Sequence, residues 1–326
     1  MKTLFTRGIA VSALLASTAF ALPAFAADDM FEHVMTIGSE GEGEGQFKYV
    51  EDFAFDGKGN IIVSDAAHAF MQVFNKTTGE FVARFGGKGY EDANLTKPEG
   101  VSVAPDGRIF VADYDTGDVK IYDASYTWLQ TFSEYGSELG QNFKSEFTDI
   151  RDGKYYMPEA GNHRVNIFDL DGNFIKAFGD GGDTEPNAEE GLLNNPESAK
   201  FNSEDKLFVA DLKNDRVQVY DADGNFLFGF GETGSGEGQM KSPAGIGFDA
   251  NDNVYVSEIG NDRVQVFSKT GDFITMFGKA GTGVMEFGNL HGLTVDAETG
   301  YIYVADTKNN RIQVFKPKDP TTLVAG

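Results

Sequence analysis

Six positions, each just ahead of an apolar strand, could act together on one ligand. They follow a Pro-x-Gly-apolar-x-apolar pattern, as in Pro98-Glu99-Gly100-Val101-Ser102-Val103. At x the chain carries Glu51, Glu99, Ser145 (with Glu146 next), Glu197, Ala244 and His291. Carboxylates with one imidazole suit a divalent cation: oxygen-rich ligation favours calcium or manganese, and the histidine admits zinc or iron. Glu51, Glu99, Glu197 and His291 are the expected ligands, with calcium the first choice and no organic cofactor indicated. Such a cation would polarise a substrate oxygen or activate water, one carboxylate serving as general base. The plainer reading is solvated carboxylates, because strict strand alternation gives x the parity of the core residues Val101 and Val103. Lys200, in the same segment as Glu197, would compensate their repulsion or hook an anionic ligand.

Other chemistries are missing. The 326 residues contain no cysteine, which removes disulfides, thiolate nucleophiles, zinc-thiolate sites and iron–sulfur clusters together. There is no Gly-x-Ser-x-Gly, no His-Glu-x-x-His and no phosphate-binding Gly-Lys-Ser/Thr. With 51 Asp and Glu against 27 Lys and Arg, the net charge of −24 makes nucleic acid and anionic membrane surfaces poor partners.

The elements that must position the x residues come from a repeat of about 48 residues. Triplets ending in Asp65, Asp113, Glu159, Asp211, Glu258 and Asp306 recur at steps of 48, 46, 52, 47 and 48. Each is followed by a period-2 strand such as Val217-Gln218-Val219-Tyr220, then by a strand ending near Phe85-Gly86, Phe132-Ser133, Phe178-Gly179, Phe230-Gly231 or Phe277-Gly278. Alternation broken by turn residues every 8–12 positions means four short antiparallel strands per unit. The expected fold is all-β, a six-bladed β-propeller of four-stranded blades. The sixth unit lacks a fourth strand, and Phe31 to Gly38 supplies it, so the N-terminal strand closes the ring and leaves only short edges.

Ala210-Asp211-Leu212-Lys213-Asn214-Asp215-Arg216-Val217-Gln218-Val219-Tyr220 resembles the NHL repeat, as do Ala305 to Phe315 and the Gly-Glu-Gly-Gln-Phe linker at Gly43 to Phe47. The resemblance covers essentially the whole chain after residue 26. It implies a six-bladed NHL-type propeller and is nearly silent about activity, since such propellers serve as scaffolds, protein or RNA binders and occasional metal-dependent enzymes. The x position also resembles the one from which six-bladed calcium-dependent lactonases of the gluconolactonase type present metal ligands. The three-histidine zinc site of the amidating-lyase NHL enzymes is not matched, because only His291 stands at an x position.

Residues common to the blades are framework, and residues that break the repeat are candidates for function. The triplet acids with Arg164, Arg216, Arg263 and Arg311 five residues on are read as hairpin ion pairs. Blades one and two lose that arginine and carry His68 with Phe70, and Thr116 with Asp118. His68, Phe70, Asp118, Glu146 and Lys200 are therefore candidate ligand contacts. The loop from Asp180 to Asn194 is about five residues longer than its peers and acidic, an insertion or a lid.

Met1 to Ala26 reads as a secretory signal peptide, with Lys2 and Arg7, an apolar stretch and an Ala24-Phe25-Ala26 cleavage signal. Residues 27–318 form the propeller and 319–326 a tail. The expectation is a periplasmic or extracellular binding module for a protein or small-molecule ligand on its loop face, with no integral membrane association. A metal-dependent hydrolase, lactonase or lyase is the alternative.

Overall fold

The structure, a computed structural model, describes residues 30–179 and 189–323. The signal-like segment and residues 180–188 of the long acidic loop lie outside the described residues. Among the described residues no helix is long and apolar enough to cross a membrane.

Six four-stranded antiparallel sheets are arranged as blades. Their innermost strands are Val50–Phe55, Pro98–Val103, Asp149–Arg151, Pro196–Phe201, Pro243–Phe248 and Leu290–Asp296, and each touches the next around the ring. Core side chains lie between neighbouring blades: Ile62, Val73 and Phe85 of blade one pack with Val101, Val111 and Tyr122 of blade two. Such inter-blade layers, rather than a single central core, hold the ring together.

The sixth sheet runs Leu290–Asp296, Tyr301–Asp306, Arg311–Pro317 and then Phe31–Ile37. Phe31 pairs with Pro317 and Ile37 with Ile312, with one bulge between His33 and Met35. The first strand of the chain is thus the outermost strand of the last blade. Residues 319–323 extend beyond the last strand and are docked: Leu323 is buried, and its carbonyl accepts a hydrogen bond from Asn253 Nδ2 at 2.9 Å.

The hairpin ion pairs are framework. Arg216 Nε donates to Asp211 at 2.8 Å, Arg263 to Glu258 at 2.7 Å and Arg311 to Asp306 at 2.7 Å, and Arg164 makes the same bond to Glu159. The same arginines also donate to carbonyls of the preceding inter-blade linker, as Arg263 does to Gly236 O at 3.0 Å and Gln239 O at 2.8 Å. In blade one His68 takes the place of the hairpin asparagine, its Nδ1 2.9 Å from Asp65, and Phe70 stands where the arginine would be.

Candidate functional site

The entry to each innermost strand is built the same way. The residue before the strand adopts a positive φ in five blades: Tyr49 at 80°, Lys144 at 64°, Asn195 at 58°, Ser242 at 51° and Asn289 at 53°. Non-glycine residues hold that conformation only when surroundings over-determine it. Here the preceding blade does so. A hairpin-tip side chain accepts the N–H of the entry residue in four cases: Asn310 to Tyr49 at 2.8 Å, His163 to Asn195 at 2.9 Å, Asp215 to Ser242 at 2.8 Å and Asp262 to Asn289 at 2.7 Å.

Past that kink the strand is bulged. Pairing with the second strand shifts register between Val50 and Phe53, Pro98 and Gly100, Pro196 and Ser198, Pro243 and Ile246, and Leu290 and Leu293. The x residue lies in the bulge each time. A bulge inserts an unpaired residue and re-aims its side chain, so the parity argument for a core-facing x residue does not apply. The glycine after x answers to crowding rather than to φ: a Cβ on Gly292 would lie 1.9 Å from Glu51 O, and one on Gly100 2.2 Å from Glu146 O.

These devices bring the x residues together. Glu51, Glu99, Glu146, Glu197 and His291 line one cavity of about 450 Å³ at the mouth of the channel, with Tyr49, Lys97, Tyr114, Lys144, Asn195, Lys213 and Ser242 around them. Blade three differs from the sequence reading. Its x position is Glu146 rather than Ser145, because Ser145 takes the place of the proline and Lys144 is the entry residue. Ala244 is fully buried and leaves blade five without a polar group in this ring.

The other candidates stand apart from the mouth. Lys200 lies further along its strand and donates to Thr148 O at 2.7 Å and to Asp52 at 3.2 Å. His68 is stacked on Phe70 at 5.1 Å and bonded to Asp65, and Asp118 lies 3.7 Å from Lys120. None of these four lines the cavity. Sequence reasoning missed Tyr49, Lys97, Tyr114 and Lys144. For Tyr49, Lys97 and Lys144 the signal available was a polar or aromatic residue immediately before a strand entry, whereas Tyr114 directly follows the triplet acid Asp113.

The electrostatics are those of crowded, buried acids. Burial, then the charges of Glu99 and Glu197, holds Glu51 well above the usual carboxylate range. Glu146 is held well above it by burial and by Glu197 and Glu99, and Glu197 is pushed up to about 8 by burial and Glu99. Glu99 is raised less, since Lys97 Nζ lies 2.5 Å from its Oε1. The hydrogen bond between Glu146 and Glu99 lowers Glu99 and raises Glu146. Burial pulls His291 down to about 4, and its Nδ1–H donates to Asn289 O at 3.1 Å.

As the side chains stand, the expected metal ligands form no chelate. Among the described residues no three His, Asp or Glu side chains are disposed to hold one ion. Lys97 is paired with Glu99.

The fold and this mouth define a propeller whose loop face opens on a polar axial pocket. A family model described as "NHL repeat" matches residues 95–122, and one described as "6-bladed beta-propeller" matches residues 248–319. Residues 95–122 thus match an NHL repeat, and the fold is that of a six-bladed β-propeller. It is 31% identical over 145 residues to Protein brain tumor of Drosophila melanogaster, a match covering 44% of this chain and 14% of that protein. Among solved structures, a Bacteroides thetaiotaomicron VPI-5482 protein of unknown function superposes with a TM-score of 0.66 at 14% identity, over 89% of this chain and 76% of the other. A streptogramin B lyase superposes at 0.62 and 10% identity, over 90% of this chain and 100% of the lyase. Hydrazine synthase of Kuenenia stuttgartiensis gives 0.57 at 10%, over 84% and 97%. These structural likenesses carry the fold alone.

Proposed function

We propose that the protein is a binding module that receives a ligand, or a side chain of a protein partner, in the channel mouth and on the loop face around it. One observation carries this reading. Glu51 and Glu197 are 2% and 6% exposed, line the cavity, and find no hydrogen-bond donor among the described residues. Carboxyl groups that reach a cavity without a donor from the protein are matched there by water or by a ligand that brings one. A second cavity of about 740 Å³ adjoins the mouth through Tyr49 and Ile259, so the receiving surface continues outward over blades five, six and one.

Export is part of the proposal: cleavage after Ala26 would deliver the propeller to the periplasm or beyond, and N-terminal sequencing of the exported protein should begin at Ala27.

A thermal-shift screen of amines, sugars, carboxylates and nucleotides tests the binding reading, since a ligand that binds only the folded state raises the melting temperature by mass action. Ligands of the mouth should lose their effect in a Glu51→Gln, Tyr114→Ala double variant and keep it in Glu237→Gln, an exposed residue outside both cavities. Hits indifferent to the double variant would overturn the assignment of the mouth.

A further inference from the structure

We propose that the mouth is a receptor for a primary ammonium group, seated between Glu51 and Glu197 with the rings of Tyr49 and Tyr114 beside it. The inference rests on the binding reading above and names its ligand chemistry.

The protein's own Lys97 shows what the mouth accepts. Its ammonium lies 2.5 Å from Glu99 Oε1 and 3.8 Å from the centroid of the Tyr114 ring, a carboxylate and an aromatic face on one cation. Lys144 approaches the same ring at 5.7 Å. Glu51 and Glu197 offer the same two kinds of group without an internal cation on them. His291 Nδ1 lies 3.9 Å from Glu51 Oε2, and its proton is already given to Asn289 O. An ammonium brings three donors, enough for two carboxylates with one to spare.

The ring is asymmetric in a way that gives the alkyl chain a route. Carboxyl groups occupy blades one to four, while blade five has Ala244 and blade six the neutral His291. The adjoining cavity, lined by Asn289, Asn309, Asn310 and Lys48 among others, leads away on that side. A cationic head held at the carboxylates would trail its chain past Tyr49 and Ile259 into this groove.

Other ligand charges fit less well. An anion would meet carboxyl groups at depth, and the deepest cation, Lys200, is already held by Asp52 and Thr148 O. A divalent ion finds no three ligands disposed around one point among the described residues. Burial and the charge of Glu99 raise Glu51 and Glu197 above the usual carboxylate range, with Asp52, Glu146, Lys97 and Lys213 the other charged groups facing them. An ammonium favours the charged carboxylate, so its arrival releases protons. Affinity then rises with pH by up to about tenfold per unit for each proton released, levelling near the empty-state value of Glu197.

Two sources could present the group, a free amine or a lysine side chain of a protein. Isothermal titration of the whole propeller separates them with 1,4-diaminobutane, a Gly-Lys-Gly peptide blocked at both ends, the same peptide acetylated on the lysine nitrogen, and calcium chloride alone. The expected result is one-to-one binding of the diamine or the blocked peptide, tighter at pH 8 than at pH 6, with no binding of the acetylated peptide. Glu51→Gln and Glu197→Gln should each weaken binding at least about tenfold, and Glu237→Gln should leave it unchanged. Diamine binding alone assigns a small-molecule source, and peptide binding alone a protein source. Equal binding of the acetylated peptide, or amine affinity unchanged in both glutamine variants, overturns the proposal. So does stoichiometric calcium binding lost in Glu51→Gln without any amine binding. Should the screen instead find mouth ligands that are sugars or carboxylates, the ammonium proposal falls and the binding reading stands.

Discussion

Lys200 of blade four reaches Asp52 of blade one, Nζ to Oδ2 3.2 Å and to Oδ1 3.4 Å. In a ring of six these blades are opposite, so the pair crosses the axis. It lies further along the innermost strands than the glutamate ring, and Asp52 Oδ2 also accepts the N–H of Val101 from blade two at 3.1 Å. One side chain thereby ties blades one, two and four together and floors the mouth.

Asp52 is 1% exposed, and burial raises its carboxyl while the Lys200 charge pulls it down. Removing the lysine leaves that acid buried and unpaired. Lys200→Met should cost about 3–5 kcal/mol, the usual result of breaking one side of a buried pair. Adding Asp52→Asn should recover most of it. Urea denaturation of both variants measures this, and a single-variant cost below about 1 kcal/mol would remove the pair from the framework.

Glu197 makes a pH prediction with a definite sign. Its folded value, about 8, lies above the ordinary carboxylate value expected when unfolded. Its contribution to stability is therefore fully present below about pH 4.5 and is lost as pH rises through about 8. The slope approaches about 1.4 kcal/mol per pH unit per proton. Glu197→Gln should gain stability over wild type steadily between pH 5 and pH 8 in denaturation experiments. Parallel curves for the two proteins would mean that the carboxyl is not held protonated.

Much of this architecture is legible in the chain because every blade repeats the same residue types. The triplets ending at Asp65 and its equivalents mark the second strands, and the Pro-x-Gly pattern, complete at Glu99 and partial at Glu197 and His291, marks the entries, with Glu51 placed by the repeat spacing alone. Blade three is misread by one residue because Ser145 replaces the proline and the innermost strand there is cut to Asp149–Arg151. The bulge that turns x toward the axis leaves no mark in a two-residue period, so the same residues also fit a core-facing reading. Lys200 and Asp52 each stand out as exceptions in their blades, yet 148 residues separate them. Only the closed ring shows that they meet.

The clasps between blades should be separable from the chemistry of the mouth. Asp262 accepts the N–H of Asn289, which holds the left-handed turn two residues before His291. Asp262→Ala leaves that donor unmatched and should cost about 1–3 kcal/mol. Blade one has Ala69 at the equivalent hairpin tip, and the blade-two entry, Lys97, is absent from the positive-φ set. The expected phenotype is thus a lowered melting temperature with a folded propeller. An unchanged melting temperature would show that the turn is held by its own sequence.

Closure makes the last prediction. Phe31 is 1% exposed, its ring centroid lies 4.4 Å from that of Phe277 in blade five, and it pairs with Pro317 in blade six. One residue of the closing strand therefore joins blade six to blade five. Phe31→Ala should cost about 3–5 kcal/mol through lost burial and the cavity left behind. Deleting residues 27–38 should do more, because it removes the whole pairing to Arg311–Pro317 and leaves that strand as an open edge. Six sheets that each pack on two neighbours lose cooperativity when one is left with three strands, so the deletion should broaden thermal unfolding as well as lower its midpoint. An exposed edge strand also seeks a partner, so size-exclusion chromatography should show concentration-dependent association of the deletion variant and not of Phe31→Ala. A deletion variant that melts like the full chain would mean that the ring is held by its inter-blade layers without the first strand.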